Sequence, residues 1–450
     1  MQFMRQSLRE VLLILVFLML FSCERRNTDA PQAPNRAQSF VFSAKPTSTI
    51  TFLSTQMNPV EEAGKMRNVI LKDFPGTVDF RPNDNSLILG QIGALLKSDP
   101  LESVVIGAAH GDFASLYEQG VLRPMTDAMS KLEKRQFPET LVALSRLDGK
   151  NSYYVPWMQA SYVMVANKKA LKFLPQGARL DGLTYDQLEQ WAGDIFRRTG
   201  MRALGFPAGK NGLMHRFFQG YLYPSFTAST LLKFRSEGAR DMWAYFKTLW
   251  EYVHPDSLVY SVMAEPLLTG DVWIAWDHTA RVIKAFEEKP GDFVAFPAPI
   301  GPKGRGFMLI VAGLGMPKGE RDTSDQAMLI EYLTEPVIQA RTLTETGFFP
   351  VVSMKSSPDL PPYLAGLSAA VKKQTDSEDA VPTLAPVGLG ERGTDYNNLF
   401  MTTFSKIVLE GEDARAVLDA NAGELQKIIN GANAKCWLPD ISDKRPCVIE

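Results

Sequence analysis

Residues 293–318 read FVAFPAPIGPKGRGFMLIVAGLGMPK: an apolar run, a Gly/Pro-rich break and a second apolar run. Phe293–Phe296 and Phe307–Gly313 have the β-branched and aromatic character of buried strands. Pro297–Gly306 is too rich in Gly and Pro to continue either one, so it reads as a connection and a crossover between domains. Upstream, the segments alternate. Thr49–Leu53 is strand-like, Val60–Asp73 helix-like, Val78–Phe80 strand-like and Ser86–Lys97 helix-like. Ser103–Gly107 is a buried-strand run, and Phe113–Gln119 a helix that stops at Gly120. Strand–helix alternation of this kind builds βαβ units around mainly parallel sheets, so the fold class is α/β.

Further helices announce their starts. Thr184-Tyr185-Asp186-Gln187 and Thr323-Ser324-Asp325-Gln326 each fit a capping box. The first precedes an amphipathic run to Thr199, the second a helix that breaks at Pro336. Gly270–Trp276 reads as a turn feeding a strand. Ala414, Val417, Leu418, Leu425 and Ile428 fall on one face of a C-terminal helix.

Composition bounds the function. The 450 residues are 45% hydrophobic and 22% charged, as in an ordinary globular protein. Lys plus Arg number 48 against 50 Asp plus Glu, a net charge of −2, so no general basic field is available to neutralise nucleic-acid phosphates. Four His and three Cys are too few for an extensive metal or disulfide framework, and no metal site or cofactor is expected. The chain also lacks a Gly-x-Ser-x-Gly elbow, a His-Glu-x-x-His helix and a Walker loop.

The N-terminus carries a separate signal. Arg5 and Arg9 precede the apolar run Val11–Phe21. At 1.5 Å per residue that run reaches about 16 Å, short of a hydrocarbon core of roughly 30 Å. A basic flank and a short apolar stretch form a secretory signal. Leu20-Phe21-Ser22-Cys23 resembles a lipobox, which implies cleavage after residue 22 and lipidation of Cys23. Residues 23–47 read as a Pro-rich flexible tether. In an oxidising compartment Cys436 and Cys447, with ten residues between them, are expected to pair and pin a C-terminal tail.

Two strand-to-helix junctions concentrate polar chemistry. In Trp276-Asp277-His278-Thr279-Ala280-Arg281, an aromatic face, a carboxylate, an imidazole and a guanidinium follow a strand, where ligands of open α/β sheets bind. Asp277 is expected to cap the following helix, and Trp276 to be a stacking face whose removal spares folding. Sugars need this mixture: C–H faces pack on indole while hydroxyls pair with charged groups. His110-Gly111-Asp112 closes an earlier strand. Trp157, Asn211 and the pair Tyr396 and Asn397 are further candidates.

The chain resembles the extracellular solute-binding proteins of ABC transporters, family 1. The resemblance rests on Gly111–Pro124, on Pro156 with Tyr162–Lys168, on Phe293–Lys318, and on Glu345–Val351. It implies a two-lobed periplasmic-binding-protein fold of type II, like maltose-binding protein, with a ligand cleft between lobes. Lobe 1 would comprise residues 48–157 and 306–356, lobe 2 residues 158–305 and 357–430, and 431–450 a tail. His110 and Asp112 would supply first-lobe contacts, Trp276–Arg281 second-lobe contacts, Gly313 the first-lobe wall, and Tyr396 and Asn397 an aromatic platform. The implied function is capture of a mono- or disaccharide by a monomeric, non-enzymatic lipoprotein that serves membrane permease subunits. A membrane-anchored carbohydrate-active enzyme using Asp277, or a solute sensor for a signalling receptor, are the alternatives.

Overall fold

A computed structural model describes residues 45–57, 60–83, 85–95, 97, 103–319, 323–354, 361–441 and 446–450. The signal segment, Cys23 and the tether up to residue 44 lie outside the described residues. No described helix is long and apolar enough to cross a membrane.

The alternation read from the sequence folds into two sheets. The first contains β1 (Ile50–Ser54), β2 (Val78–Pro82), β3 (Ser103–Ala109), β4 (Val155–Ala160), β9 (Arg305–Gly315) and β10 (Ala380–Leu384); the second contains β5 (Tyr162–Asn167), β6 (Leu204–Gly205), β7 (Ile274–His278) and β8 (Phe293–Phe296). β1 is parallel to both β2 and β3, as βαβ connections require. β9 then enters antiparallel to β3 and β4, while its first half pairs parallel with β10. In the second sheet β5 is antiparallel to β7 and β8. Only one residue, Ser161, separates β4 from β5, so the chain leaves one sheet and enters the other almost directly.

The buried residues form several clusters. Leu53, Val104, Ile106 and Phe113 pack together in one. A larger aromatic core surrounds Met164, Trp276, Phe217, Phe218 and Trp243, and a third cluster, with Val163, Val165 and Ala275, covers the other face of β5 and β7. Consecutive residues of β5 thus serve opposite cores, as the two-residue period of a strand dictates.

Two helix starts differ from the sequence reading. The helix expected from Phe113 begins at His110 and absorbs Gly111 and Asp112 into its first turn. Thr184 caps its helix as expected: its Oγ1 accepts from Gln187 N–H at 3.2 Å, and the Gln187 side chain accepts from Thr184 N–H at 3.1 Å. Thr323 does not cap. Asp325 instead turns to the incoming chain, accepting from Thr47 and Ser48 through backbone and hydroxyl groups.

Cys436 and Cys447 form the expected disulfide, with Cα atoms 4.8 Å apart. Buried Asp440 between them accepts from Thr230 and Leu231 N–H, each at 2.7 Å, so the tail is also held by charge-assisted hydrogen bonds. Replacing both cysteines by serine is expected to lower unfolding free energy by up to about 3 kcal/mol, from the loop closed, measured by urea denaturation. The two sheets should remain folded by circular dichroism.

Candidate functional site

One wall is built where β3 passes into the helix His110–Glu118. Asp112 turns back to the strand end: its Oδ2 accepts from Ala109 N–H at 3.2 Å and from the Thr55 hydroxyl, in the loop after β1, at 2.9 Å. Burial pushes the Asp112 carboxyl up to about 6, against the opposing pull of those two donors and of the Arg216 guanidinium. His110 Nδ1 lies 3.0 Å from the Tyr154 hydroxyl, and burial holds the imidazole down at about 4, neutral at physiological pH. Tyr154 owes its position to Gly313, opposite Ala108 and Pro156 in the sheet. A Cβ there would come within 2.2 Å of the tyrosine ring. Trp157 is fully enclosed, with its ring centroid 5.5 Å from that of Phe52.

The other wall lies at the end of β7, which sits beside β5 so that Tyr162 faces His278 and Met164 faces Trp276. Trp276 is fully buried. It stacks on Tyr162 at 4.6 Å with the rings 5° from parallel, and Phe217 and Tyr221 pack against it at 5.0 and 5.2 Å. The expected open indole face is therefore corrected: Tyr162 covers it, and Trp276 is a structural member of the second core. The helix Thr279–Glu288 is capped by His278, not by Asp277. His278 Nδ1 accepts from Ala280 N–H at 3.2 Å, which leaves the ring proton on Nε2. Asp277 instead accepts from Met263 N–H at 2.9 Å and from His278 N–H at 2.7 Å. Burial raises its carboxyl to about 6, against Arg281 and those two donors. Burial, reinforced by Arg281, holds His278 down at about 3.

Two arginines of the second wall connect these groups. Arg281 donates through Nη1 to the carbonyls of Asn211 (3.1 Å) and Ser261 (2.9 Å). Its charge acts on Asp277 and also on Glu62, in the helix Val60–Lys65 after β1; burial raises the Glu62 carboxyl in spite of it. Arg216 donates to Gln219 Oε1 at 3.0 Å, and Gln219 Nε2 donates to Asn397 Oδ1 at 3.1 Å. The Arg216 charge lowers the Asp112 and Tyr162 pKa values against burial, and with Arg281 it adds to the burial that holds His215 well below its ordinary value. Asp112, Arg216, Arg281, Glu62, Tyr162, His278 and Asn397 are thus connected by hydrogen bonds or by charge effects of the two arginines, and they come from elements around both sheets. Asn211 enters it through its backbone carbonyl, its side chain being exposed. Tyr396 does not join as an open platform: it is fully buried against Phe400 and Trp437. Among the described residues no group of three His, Cys, Asp or Glu is placed to hold a metal ion.

A chain that crosses between two sheets at Ser161 and again between β8 and β9 is matched by a family model. The bacterial extracellular solute-binding protein model covers residues 72–373, more than half of the chain. The chain belongs to that family. Its fold is the two-lobed one of MalE-like binding proteins. The GacH receptor of Streptomyces glaucescens, whose structure is known with acarbose, superposes with a TM-score of 0.64 at 15% identity, covering 85% of this chain and 99% of that one. The sugar-binding protein MalE from Xanthomonas citri gives 0.65 at 18%, covering 85% and 97%. UgpB from Mycobacterium tuberculosis, in complex with glycerophosphocholine, gives 0.66 at 19%, covering 86% and 99%. No curated protein matches the chain in sequence.

Sequence reasoning on this solute-binding protein missed Arg216, His215, Gln219, Tyr162 and Glu62. Their local context hides them. His215-Arg216 sits between Met214 and Phe217 in an aromatic-rich stretch that reads as core, and Glu62 is one of two adjacent acids on a short helix. An adjacent His-Arg inside an otherwise apolar run was the available signal, because burying a charge there requires a partner.

Two outcomes follow from this geometry. Trp276→Ala is expected to destabilise the protein by about 3–5 kcal/mol, the range for emptying an aromatic core site, read from urea denaturation. Arg216→Met should raise the Asp112 pKa further above about 6, since a group that lowers it is removed. A carboxyl-detected NMR titration measures that shift, and an unmoved midpoint would show that Arg216 does not act on Asp112.

Proposed function

We propose that this protein captures an uncharged polyhydroxylated solute, a mono- or disaccharide, between its lobes and hands it to the permease of an ABC importer. The observation that carries the reading is the charge arrangement of the cluster. Two guanidinium groups are interleaved with three carboxyls, and the histidines between them are held neutral. Such a surface offers both donors and acceptors at fixed positions, which hydroxyl groups satisfy simultaneously, without a single-sign field that would select an ion. The solute-bound structures of GacH and MalE-like proteins support a sugar as the class.

Asp112 and Glu62 would accept from sugar hydroxyls on the first lobe. Arg216, Arg281, the Nε2 proton of His278 and the Asn397 amide would engage the other side. Trp157, Trp276 and Tyr396 support this ring from behind; Gly313 and Tyr154 orient His110. Capture needs no covalent step. A solute bound by both lobes stabilises the closed arrangement, and moving that equilibrium from mostly open to mostly closed takes about 5.5 kcal/mol of differential binding. Hydrogen bonds to charged groups contribute about 1.5–3 kcal/mol each, so two to four that form only on closure suffice. Lipidation at Cys23 would keep the receptor at the membrane beside its permease, and export would place it outside the cytoplasm.

The test is a thermal-shift panel of neutral mono- and disaccharides, sugar phosphates and sugar acids against the intact mature chain. At least one neutral sugar should raise Tm without being turned over. Arg216→Ala should weaken that sugar about 10- to 100-fold, the loss of one charge-assisted contact. Stabilisation by anionic solutes alone would overturn the neutral-sugar reading, and release of a new reducing end would overturn the receptor reading.

A further inference from the structure

His110 and Asp112 stand two residues apart, yet they face different surroundings. Asp112 responds to Arg216, whereas burial alone accounts for the His110 shift, and His110 lines a separate cavity of about 970 Å³. That cavity lies between the helix His110–Glu118 and two C-terminal stretches, 387–392 and 431–437. Gly111 stands between the two histidine and aspartate directions. A Cβ on Gly111 would come within 2.1 Å of the Pro386 carbonyl oxygen and 3.1 Å of its carbon. The neighbouring Gly388 N–H donates to the Gly111 carbonyl at 3.3 Å. Both partners in this contact are main chain, so neither can swing aside as a flexible side chain would.

The two segments belong to different cores. Phe113, in the same helix as Gly111, packs with Leu53, Val104 and Ile106; Leu384 and Leu389, which flank Pro386, pack with the cluster around Trp276. The Gly111–Pro386 seam is thus a direct backbone contact between an element packed in the cluster of Leu53, Val104 and Ile106 and one packed in the cluster around Trp276. We infer that Gly111 is a positioning residue for closure: its missing side chain lets the Pro386–Gly388 backbone seat on the start of the helix, and that seat sets how closely Asp112 and Arg216 approach.

The effect on solute capture rests on the function proposed above; the seat itself does not. Gly111→Ala keeps every polar group of the cluster but forces the backbones apart, since 2.1 Å is a contact that no Cβ tolerates. Gly366→Ala, in the helix Pro362–Thr375 with open space around its Cα, is the control. In the sugar-free protein, amide exchange of Gly388 followed by NMR should be at least tenfold faster in Gly111→Ala than in the wild type or Gly366→Ala. With the best sugar from the panel, Gly111→Ala should bind at least tenfold more weakly, through a faster dissociation rate. Its small-angle scattering at saturating sugar should show a larger radius of gyration than the wild type. Its sugar-free Tm should stay close to that of Gly366→Ala, which separates a closure role from general destabilisation. Unchanged Gly388 exchange, or exchange that rises together with a collapse in Tm, would overturn the inference. A wild-type protein that binds no sugar at all would overturn the proposed solute class while leaving the exchange result to decide the seam.

Discussion

The proposed site depends on two guanidinium groups, those of Arg216 and Arg281, each anchored by hydrogen bonds to nearby carbonyl oxygens. Arg216 acts on Asp112 of the opposite wall and Arg281 on Glu62, each in surroundings where burial would otherwise drive the carboxyl toward its neutral form. Charges buried without partners are costly, and removing one member of such a set exposes the other to that cost. The cluster is therefore a constraint on everything around it. β3 has to end where Asp112 can reach Ala109 N–H, and the loop after β1 has to bring Thr55 alongside. The segment Ser261–Met263 has to turn its carbonyl toward Arg281 and its N–H toward Asp277.

Behind the charged groups stands a rigid aromatic support. Trp276 stacked on Tyr162, with Phe217 and Tyr221 packed around the pair, fixes the end of β7 and so the positions of Asp277 and His278. On the other side, Tyr154 fits into the space left by Gly313 and holds His110. Aromatic side chains here contribute precision more than direct contact area: they are large, have few rotamers and leave little freedom for the polar groups in front of them. That division of labour matches the complete enclosure of Trp157 and Trp276.

β9 ties distant parts of the first sheet together. Its first half is parallel to β10, and its second half is antiparallel to β3 and β4. One continuous strand therefore ties the segment that leads to Pro386 and Gly388 to the strand that ends at His110 and Asp112. The β4–β5 junction at Ser161 is a second direct link between the two sheets.

What the sequence determined by itself was local and periodic. The strand–helix alternation from Thr49, the crossover at Pro297–Gly306, the Thr184 capping box and the Cys436–Cys447 pairing are all written within a few residues of one another, because hydrogen-bonding period, turn chemistry and chain closure act at that range. The junctions at His110–Asp112 and Trp276–Arg281 were legible for the same reason. Tertiary structure decided which of their side chains are free. Trp276, Trp157 and Tyr396 have the composition of stacking faces but lost that option to Tyr162, Phe52 and Trp437, partners that come from other elements. Asp277 lost the cap to His278 because Met263 N–H, fourteen residues earlier, claimed its carboxylate. Arg216 became central only when folding placed it opposite Asp112. Coulomb interaction depends on distance through space, and a one-dimensional pattern does not contain that distance.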